Sequence, residues 1–253
     1  MWGEEGESAC WESFAMNSFD SALFHFFNSL AQRNYTFDTV MVRTMEGGLT
    51  TGAVIVALFW AAWEIEGAVN PEKREILLFG LFTSIFSIFV ARVLALTLPF
   101  RVRPLHATDI GFRIPYNLKT DMLINWSSFP SDHATLFTCL AAILWMVSRR
   151  LGIIAFVYVV LMIDIPRIYA GIHYPTDIIA GTILGLAVAM LVKLPKLRSV
   201  VTRPALHWKE AYPLFFNFAL FMCAFEVGEL FATVRDLGSY AMRAAHIASH
   251  LHH

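Results

Sequence analysis

Six long apolar stretches, separated by polar segments, dominate the sequence. A membrane-spanning helix needs about 20 apolar residues to cross roughly 30 Å of hydrocarbon, and these stretches approach or reach that length. Apolar and polar positions do not alternate with the period of two that marks a half-buried strand, so the pattern predicts helices. No Gly-rich or Pro-rich linker and no internal repeat divides the chain, which favours one domain over residues 1–253. The predicted spans are residues 49–65, 76–98, 134–147, 151–165, 178–194 and 212–231.

A further helix is predicted ahead of the first span, over residues 19–42. Its apolar residues recur at helical spacing among polar ones, which indicates an amphipathic helix lying on the membrane or on the bundle. An ordinary packed helix fits this pattern almost as well. We therefore predict an all-α integral membrane bundle of six transmembrane helices plus an N-terminal amphipathic helix. The apolar positions of that first helix are Leu23, Phe26, Phe27, Leu30 and Phe37.

Composition excludes the ordinary soluble class. The chain is 57% hydrophobic and only 15% charged, whereas a soluble domain carries roughly 25% charged residues. The net charge of −1 gives no sign of a nucleic-acid partner. The three cysteines, Cys10, Cys139 and Cys223, are scattered and indicate neither a zinc site nor a disulfide framework. Residues 1–20 are acidic and lack the features of a secretory signal peptide, so insertion is expected from the internal stretches.

Lys and Arg residues indicate how the bundle is oriented in the membrane. With six spans, the loops after the first, third and fifth spans share one face, and they are short and basic. Cytoplasmic loops of membrane proteins carry such an excess of positive charge. We therefore expect a protein of the cell (inner) membrane whose termini, residues 99–130 and residues 167–177 lie on the extracytoplasmic face. The basic residues of the short loops are Lys73, Arg74, Arg149, Arg150, Lys193, Lys196, Arg198, Arg203 and Lys209.

Between the fourth and fifth spans the chain carries Arg167, His173 and Asp177. Pro175 suits the first turn of a helix, so His173 is predicted just before a helix and Asp177 in its first turns. A carboxylate there is favoured by the helix dipole and can hold one ring nitrogen of the histidine, which leaves the other nitrogen nucleophilic. A local hydrogen bond at the surface is the more frequent explanation of this spacing when it stands alone.

A second polar segment, Pro130-Ser131-Asp132-His133, opens the third span on the same predicted face. Ser131 is a good N-cap residue. The free N–H groups of a helix start, together with the helix dipole, form an anion site. The sequence therefore predicts that an anion binds where this helix begins.

Arginines add to that anion site. Arg101 and Arg103 follow the second span and, with Arg167, present forked donors suited to phosphate oxygens. His133 and His173 then offer an acid and a nucleophile. This combination predicts phosphoryl transfer in which arginines and N–H groups, without a metal, meet the charge on phosphorus.

These segments resemble the motifs of the type 2 phosphatidic acid phosphatase (PAP2) superfamily, whose fold is that of acid phosphatases and vanadium haloperoxidases. The family pattern is Lys-x6-Arg-Pro, then Pro-Ser-Gly-His, then Ser-Arg-x5-His-x3-Asp. The resemblance covers about residues 76–194, including the order of the helices. The matching segments are Arg103-Pro104, Pro130-Ser131-Asp132-His133 with Asp132 in place of Gly, and Arg167-x5-His173-x3-Asp177 with Pro166 in place of Ser.

The resemblance implies a role for each matching residue. His173 would attack phosphorus and form a phosphohistidine, Asp177 would orient and stabilise it, and His133 would protonate the leaving oxygen. The resemblance implies neither a metal nor a cofactor. The phosphate would be bound by Arg103, Arg167 and the region of Ser131.

The chain departs from the family pattern at charged positions. The family lysine falls on Leu96, so Arg101 or Arg92 must replace it. Arg92 lies eleven residues before Arg103, which is about three turns or ~16 Å along a helix. We therefore expect Arg101 to bind the phosphate and Arg92 to pair with a glutamate of the last span. Asp132 either repels the substrate or turns away and pairs with an arginine.

The predicted function is that of a metal-independent membrane lipid phosphatase acting on a phosphate or pyrophosphate monoester. Undecaprenyl or another polyprenyl pyrophosphate, phosphatidic acid and phosphatidylglycerol phosphate all fit, and the oligomeric state is left open. A soluble haloperoxidase that binds vanadate is disfavoured by the hydropathy. A small transporter or channel is the alternative, but it would spread polar residues through the spans.

Overall fold

The computed structural model describes residues 16–47, 49–108 and 110–230, and every regular element within these ranges is helical. The predicted all-α class is therefore confirmed. The helices are α1 (Ser18–Asn28), α2 (Tyr35–Glu46), α3 (Val54–Val69), α4 (Pro71–Thr97), α5 (Asp132–Val147), α6 (Arg149–Tyr158), α7 (Ile165–Tyr169), α8 (Pro175–Ala189), α9 (Pro195–Ala211) and α10 (Pro213–Gly228). Short π-helical segments at Leu49–Ala53 and Val159–Asp164 precede α3 and α7.

Residues at the helix starts explain where the helices begin. Asparagine side chains cap α1, α2 and α4, and Ser131 caps α5, each accepting an N–H of the first turn. Proline occupies the first turn of α4, α8, α9 and α10, where its missing N–H needs no partner. The predictions that Pro175 opens a helix and that Asp177 lies in its first turn are confirmed.

The predicted apolar spans all fall on helices, but the helices differ in length. Four helical segments are long and apolar enough to cross a membrane: Thr51–Val69, Pro71–Thr97, Arg149–Tyr169 and Pro175–Lys193. Two of the predicted spans form shorter apolar helices, Asp132–Val147 and Pro213–Gly228. Phe231, at the end of the sixth predicted span, lies outside the described residues. The structure thus supports an integral membrane protein, and the count of six spans stays a prediction.

The helix predicted over residues 19–42 consists of two helices, α1 and α2. Gln32, between them, has a positive φ of 64°, and Asn34 then caps a new helix. Both helices pack against α7, and α1 also contacts α8. Phe24 of α1 is fully buried. Their described parts therefore lie on the bundle, and the prediction of one continuous amphipathic helix is not confirmed.

Helix α5 forms the centre of the bundle. It contacts α3, α4, α6 and α8, and its residues from Ala134 to Leu144 are all buried. A helix that is apolar on every side belongs in the interior. Because other helices surround α5, its polar first residues are brought into the middle of one end of the bundle.

Two glycines of α8 allow it to approach the start of α5. A Cβ atom on Gly185 would lie 2.3 Å from the carbonyl oxygen of Thr135, and one on Gly181 would lie 2.5 Å from that of Ser131. Small residues permit such close contact between helix backbones. At this approach the N–H of Ser131 donates to the carbonyl oxygen of Asp177 at 3.2 Å. The starts of α5 and α8 are thereby held side by side.

The opposite end of the bundle carries the basic turns. Helices α3 and α4 meet there at Asn70, and α5 and α6 meet at Ser148. The sequence predicted a loop after the fifth span, but the chain there forms α9, which packs against α4 and α10. Arg198 of α9 pairs with Glu72 and Glu75 of α4 at 3.1 and 3.3 Å.

We predict that Gly185→Val will separate the starts of α5 and α8. Overpacking a tight contact typically costs about 1–3 kcal/mol, which lowers the melting temperature of a chain of this size by roughly 2–10 °C. Thermal unfolding of the detergent-solubilised protein measures the effect. Ala187→Val, at an exposed position of the same helix, is the control and should leave the melting temperature within about 2 °C. Equal melting temperatures for both variants would contradict the close approach.

Candidate active site

Three segments meet at the end of the bundle opposite the basic turns. They are the chain that follows α4, the start of α5, and the turn between α7 and α8. Between them lies a cavity of about 250 Å³ that also reaches the end of α2, Thr51 of the π-helical segment before α3, and the end of α10. The charged and histidine side chains that line it are Glu46, Arg92, Arg103, Asp132, His133, Arg167, His173 and Glu229.

The turn between α7 and α8 aims His173 into the cavity. Gly171 adopts a positive φ of 69°, and the N–H of Ile172 donates back to the carbonyl oxygen of Arg167 at 2.9 Å. A Cβ atom at Gly171 would lie 2.8 Å from the ring of Phe112, so the turn requires glycine for both conformation and space. His173 itself is only 2% exposed.

The hydrogen bond of His173 sets its tautomer. Its Nδ1 lies 2.8 Å from the carbonyl oxygen of Ser128. A carbonyl oxygen can only accept, so Nδ1 carries the hydrogen and Nε2 keeps a free lone pair. Burial lowers the pKa of His173, and the carboxylate of Asp177 opposes this shift. His173 is therefore a neutral imidazole at neutral pH, which is the form a nucleophile needs.

Asp177 lies 3.7 Å from Nδ1 of His173, which is longer than a hydrogen bond. Its buried carboxylate instead accepts from the Ser128 hydroxyl, from Arg101, and from the N–H of Tyr174 at 2.8 Å. Ser128 thus bonds to Asp177 through its hydroxyl and to His173 through its carbonyl. The structure brings the predicted pair together, with Ser128 between them.

Arg101 lies outside the cavity, although the sequence favoured it as a phosphate ligand. It donates to Asp177, to Asp20 of α1 at 2.7 Å and to Thr176 at 2.9 Å. Its guanidinium also lies 4.1 Å from the ring centroid of Tyr174. Through these contacts Arg101 stabilises the two buried carboxylates.

Arg103 lines the cavity and is held by backbone carbonyl groups. Its Nε, Nη1 and Nη2 donate to the carbonyl oxygens of Trp126, Ile172 and Ser127 at 3.1, 2.7 and 3.0 Å. A guanidinium carries five N–H donors, so these bonds orient Arg103 and leave donors for a ligand. Burial lowers the pKa of Arg103, with Asp132 and Asp177 acting against it.

Arg167 also lines the cavity and is 2% exposed. Its Nη1 donates to the carbonyl oxygen of Ile163 at 2.8 Å. Ile163 belongs to the π-helical segment just before Pro166, a residue that cannot donate to the preceding turn. Such π segments often occur at functional sites. The proline that replaces the family serine therefore lies two residues after a local widening of the helix that contains Arg167.

Arg92, expected to pair with a glutamate of the last span, lines the cavity instead. Its Nη2 lies 2.5 Å from Oδ2 of Asp132, and its guanidinium lies 4.8 Å from the ring centroid of Trp126. The distance of ~16 Å between Arg92 and Arg103 assumed a continuous helix. Helix α4 ends at Thr97, so that distance does not apply.

The first turn of α5 carries Ser131, Asp132 and His133. Ser131 is buried and accepts the N–H of Ala134 at 3.3 Å, which confirms the predicted cap but leaves its hydroxyl out of the cavity. Asp132 accepts the N–H of His133 at 2.9 Å and lies 3.0 Å from its Nδ1. Of the two alternatives for Asp132, the structure shows the pairing with an arginine.

Sequence reasoning missed Ser128, Asp20 and Thr176. Asp20 of α1 is fully buried and accepts the N–H and the hydroxyl of Thr176 at 2.8 and 2.7 Å. Asp20 and Ser128 belong to none of the motifs, and Thr176 is one of the unspecified positions of the third. A local pattern contains no signal for contacts over such separations along the chain.

The chain is similar to known proteins. A profile of the PAP2 superfamily matches residues 75–198. Undecaprenyl-diphosphatase BcrC of Bacillus subtilis is 24% identical over 169 residues, which cover 67% of this chain and 80% of the relative. Decaprenylphosphoryl-5-phosphoribose phosphatase of Mycolicibacterium smegmatis is 31% identical over 141 residues, which cover 53% of this chain and 72% of the relative.

A solved structure shows the same fold. The crystal structure of Aquifex aeolicus LpxE superposes with a TM-score of 0.51 and 20% identity, and covers 71% of this chain and 98% of that one. The residues of all three predicted motifs come together at one end of the bundle. Some of them line the cavity, and others hydrogen-bond to one another beside it. With the matching profile and the two relatives, these observations show that the chain belongs to the PAP2 superfamily.

Proposed function

We propose that this protein removes phosphate from a polyprenyl phosphate or diphosphate at the outer surface of the cell membrane. The chain is a lipid phosphatase of the PAP2 superfamily, whose members act without a metal through a phosphohistidine. The observation that carries this proposal is the cavity, where three arginines and two histidines meet at one end of a bundle of apolar helices.

In the first step, Nε2 of His173 attacks phosphorus as the bond from phosphorus to the leaving oxygen breaks. His133 gives a proton to that oxygen, so the dephosphorylated lipid leaves without an unfavourable negative charge. The nucleophile needs no deprotonation, because burial and the bond to Ser128 already hold it neutral with Nε2 free. The product of this step is a phosphohistidine.

In the second step, water attacks the phosphohistidine. His133, now neutral, takes a proton from the water as the bond between Nε2 and phosphorus breaks. Inorganic phosphate leaves, and both histidines return to their starting protonation states. The carboxylate of Asp177 stabilises the positive charge that His173 gains as the phosphohistidine forms.

The phosphate oxygens are bound by Arg92, Arg103 and Arg167, the three arginines that line the cavity. Their charges and N–H donors meet the negative charge of the transition state, as a metal does in other phosphatases. Arg101 is less suited to this role, because it lies outside the cavity and both of its terminal nitrogens already donate to Asp20, Asp177 or Thr176. We therefore assign the role of the missing family lysine to Arg92.

The size of the cavity supports a phosphate or diphosphate headgroup, and the names of the relatives support a polyprenyl chain. A volume of about 250 Å³ holds a phosphate or diphosphate headgroup but not a long lipid chain, which must stay outside in the bilayer. Both relatives bear names that specify a polyprenyl-linked phosphate. A transporter would need a polar path through the bundle, whereas the cavity lies at one end of it.

The position of the basic turns supports an extracytoplasmic site. In our proposal α5 and α10 join the four longer segments as spans, which makes six. The short basic turns then face the cytoplasm, where positive charge accumulates. The cavity lies at the other end and opens to the outer leaflet.

We expect the purified protein to release phosphate from a polyprenyl phosphate or diphosphate faster than from phosphatidic acid or phosphatidylglycerol phosphate, and to do so in EDTA. His173→Ala should lower the rate of phosphate release at least about a thousandfold, because it removes the attacking atom. An acid-labile phosphoenzyme should form with the wild type and not with the variant. His25→Ala, in α1 and outside the cavity, is the control. Activity of more than a few per cent in His173→Ala would contradict the mechanism.

Arg92 and Arg101 should differ in what their loss does. Arg92→Ala should cut turnover roughly ten- to a thousandfold, the scale for one transition-state donor, and weaken inhibition by vanadate. Arg101→Ala leaves Asp20 and Asp177 buried without their cation, a defect that typically costs about 3–5 kcal/mol, so its melting temperature should fall the most. Steady-state kinetics and thermal unfolding measure the two effects. A stable Arg101→Ala with low turnover and weakened vanadate inhibition, beside a nearly wild-type and fully vanadate-sensitive Arg92→Ala, would reverse the assignment.

Thiol labelling tests the orientation. In a background without the three native cysteines, Thr120→Cys should react with an impermeant maleimide added to intact cells, because it is exposed near the cavity end. Lys196→Cys, exposed at the basic end, should react only after the membrane is permeabilised. The opposite pattern would place the chemistry in the cytoplasm.

A further inference from the structure

We propose that Asp132 is a positioning residue for His133, which it holds through Nδ1 so that Nε2 can protonate the leaving oxygen. This inference rests on the proposed function, since it concerns the proton donor of that reaction. It assigns a role to a residue at which the chain departs from the glycine of the family pattern. Arg92 completes the arrangement by holding the other oxygen of the carboxylate.

The geometry of the three side chains carries the inference. Oδ1 of Asp132 lies 3.0 Å from Nδ1 of His133, and Oδ2 lies 2.5 Å from Nη2 of Arg92. The side chains of Asp132 and His133 are 16% and 27% exposed, so water competes little for these contacts. Each oxygen of the carboxylate therefore has its own partner, and the ring of His133 is fixed on one side.

Contact between neighbouring residues of a helix is unusual, because they point in different directions. It occurs here because Asp132 is the first residue of α5 and the N–H of His133 has no acceptor in a preceding turn. Asp132 accepts that N–H at 2.9 Å, which places its Oδ1 beside the ring of the same residue. Glycine at this position can supply no such acceptor.

The arrangement defines the proton path. Ionised Asp132 accepts the hydrogen on Nδ1, so the hydrogen that His133 can give away is on Nε2. As the bond from phosphorus to the leaving oxygen breaks, that hydrogen passes to the oxygen and the ring becomes neutral. Water returns a proton to Nε2 in the second step. Asp132 stays ionised throughout and, together with the negative charge of the bound phosphate, stabilises the positively charged ring, as the carboxylate of a catalytic triad does.

Arg92 prevents the carboxylate from acting as a competitor of the substrate. A free carboxylate beside a phosphate would repel it, but Asp132 shares its charge with Arg92 at 2.5 Å. Because a guanidinium has five N–H donors, Arg92 can hold Asp132 and still donate to a phosphate oxygen. Arg92 thus allows a carboxylate that accepts the hydrogen of His133 to lie in a site that must also bind an anion.

A different role for the same contacts is that Asp132 only occupies the anion site until phosphate displaces it. The bond to Nδ1 of His133 favours the positioning role. A carboxylate that only occupied the anion site could be held by Arg92 and the first N–H groups of α5, without a contact to the ring of His133. The two roles predict different kinetics. Loss of a displaced carboxylate strengthens the binding of anions, whereas loss of a positioning residue slows proton transfer.

The test compares two substrates with the purified wild type and Asp132→Asn. A polyprenyl monophosphate has a poor leaving group that needs a proton, whereas p-nitrophenyl phosphate has a good one that does not. Asp132→Asn should lower kcat roughly 10- to 100-fold for the first, part of the 10²–10⁴-fold that a general acid contributes. For the second substrate the burst of p-nitrophenol release, which reports the first step alone, should slow by less than about threefold, because that leaving group needs no proton. The alkaline limb of the kcat profile for the monophosphate should move to lower pH, because the charged ring loses its carboxylate.

The pH readout is interpreted against the other groups around His133. Asp132→Asn leaves them all in place but removes a charge that also raises the pKa of His173 and of Arg103. The shift of the alkaline limb is therefore assigned to His133 by its absence when Asp132→Asn is added to His133→Ala. The charged and titratable groups that share the cavity are Glu46, Arg92, Arg103, Arg167, His173 and Glu229.

Three controls make each outcome decisive. His133→Ala should show the same selective loss on the polyprenyl monophosphate, and adding Asp132→Asn to it should change little, because the two residues act as a unit. Asp121→Asn, exposed in the segment between α4 and α5, should match the wild type. Melting temperatures show whether the variants fold.

Two results would overturn the inference alone. Equal losses in the rate of the first step on both substrates would make the role of Asp132 structural. An unchanged kcat with a lower KM and tighter vanadate inhibition would mean that Asp132 merely occupies the anion site. A wild type that releases no phosphate, or a fully active His173→Ala, would instead refute the proposed function on which the inference rests.

Discussion

The buried carboxylate of Asp177 is the constraint on which this structure depends. It accepts hydrogen bonds from Arg101, from the Ser128 hydroxyl and from the N–H of Tyr174. These donors come from the chain after α4, the chain before α5 and the start of α8. A buried charge that loses its partners costs several kcal/mol, so the three segments cannot separate independently. His173 depends on the same group, because Ser128 links it to Asp177.

The same network joins α1 to the site. Arg101 lies between two fully buried carboxylates, Asp20 and Asp177, and Thr176 bonds to both Arg101 and Asp20. A cation shared in this way stabilises the fold and has little left to offer a substrate. The cavity therefore depends on other arginines, which are held by carbonyl groups or by the single carboxylate of Asp132. One structural arginine, Arg101, therefore lies beside the three arginines that face the cavity.

The fold keeps this polar chemistry at the edge of an apolar bundle. Helix α5 is buried from Ala134 to Leu144 and presents only its first turn to the cavity. Glycines of α8 bring that turn against the start of α8. An anionic headgroup can thus bind near the membrane surface, where desolvation costs less than at the bilayer centre, while its lipid chain stays in the bilayer.

The sequence by itself determined the helical class, the apolar segments and the two histidine motifs, because helix periodicity, capping and motif spacing are local properties. It also indicated that Ser131 caps α5 and that Pro175 opens α8. Only the tertiary structure decided which arginine faces the cavity. Arg92 and Arg101 carry the same charge near the same helix end, and their roles depend on Asp132, Asp20 and Asp177, whose side chains reach them from distant parts of the chain. The link that Ser128 forms between His173 and Asp177, and the break between α1 and α2, likewise depend on long-range contacts, which override local preference.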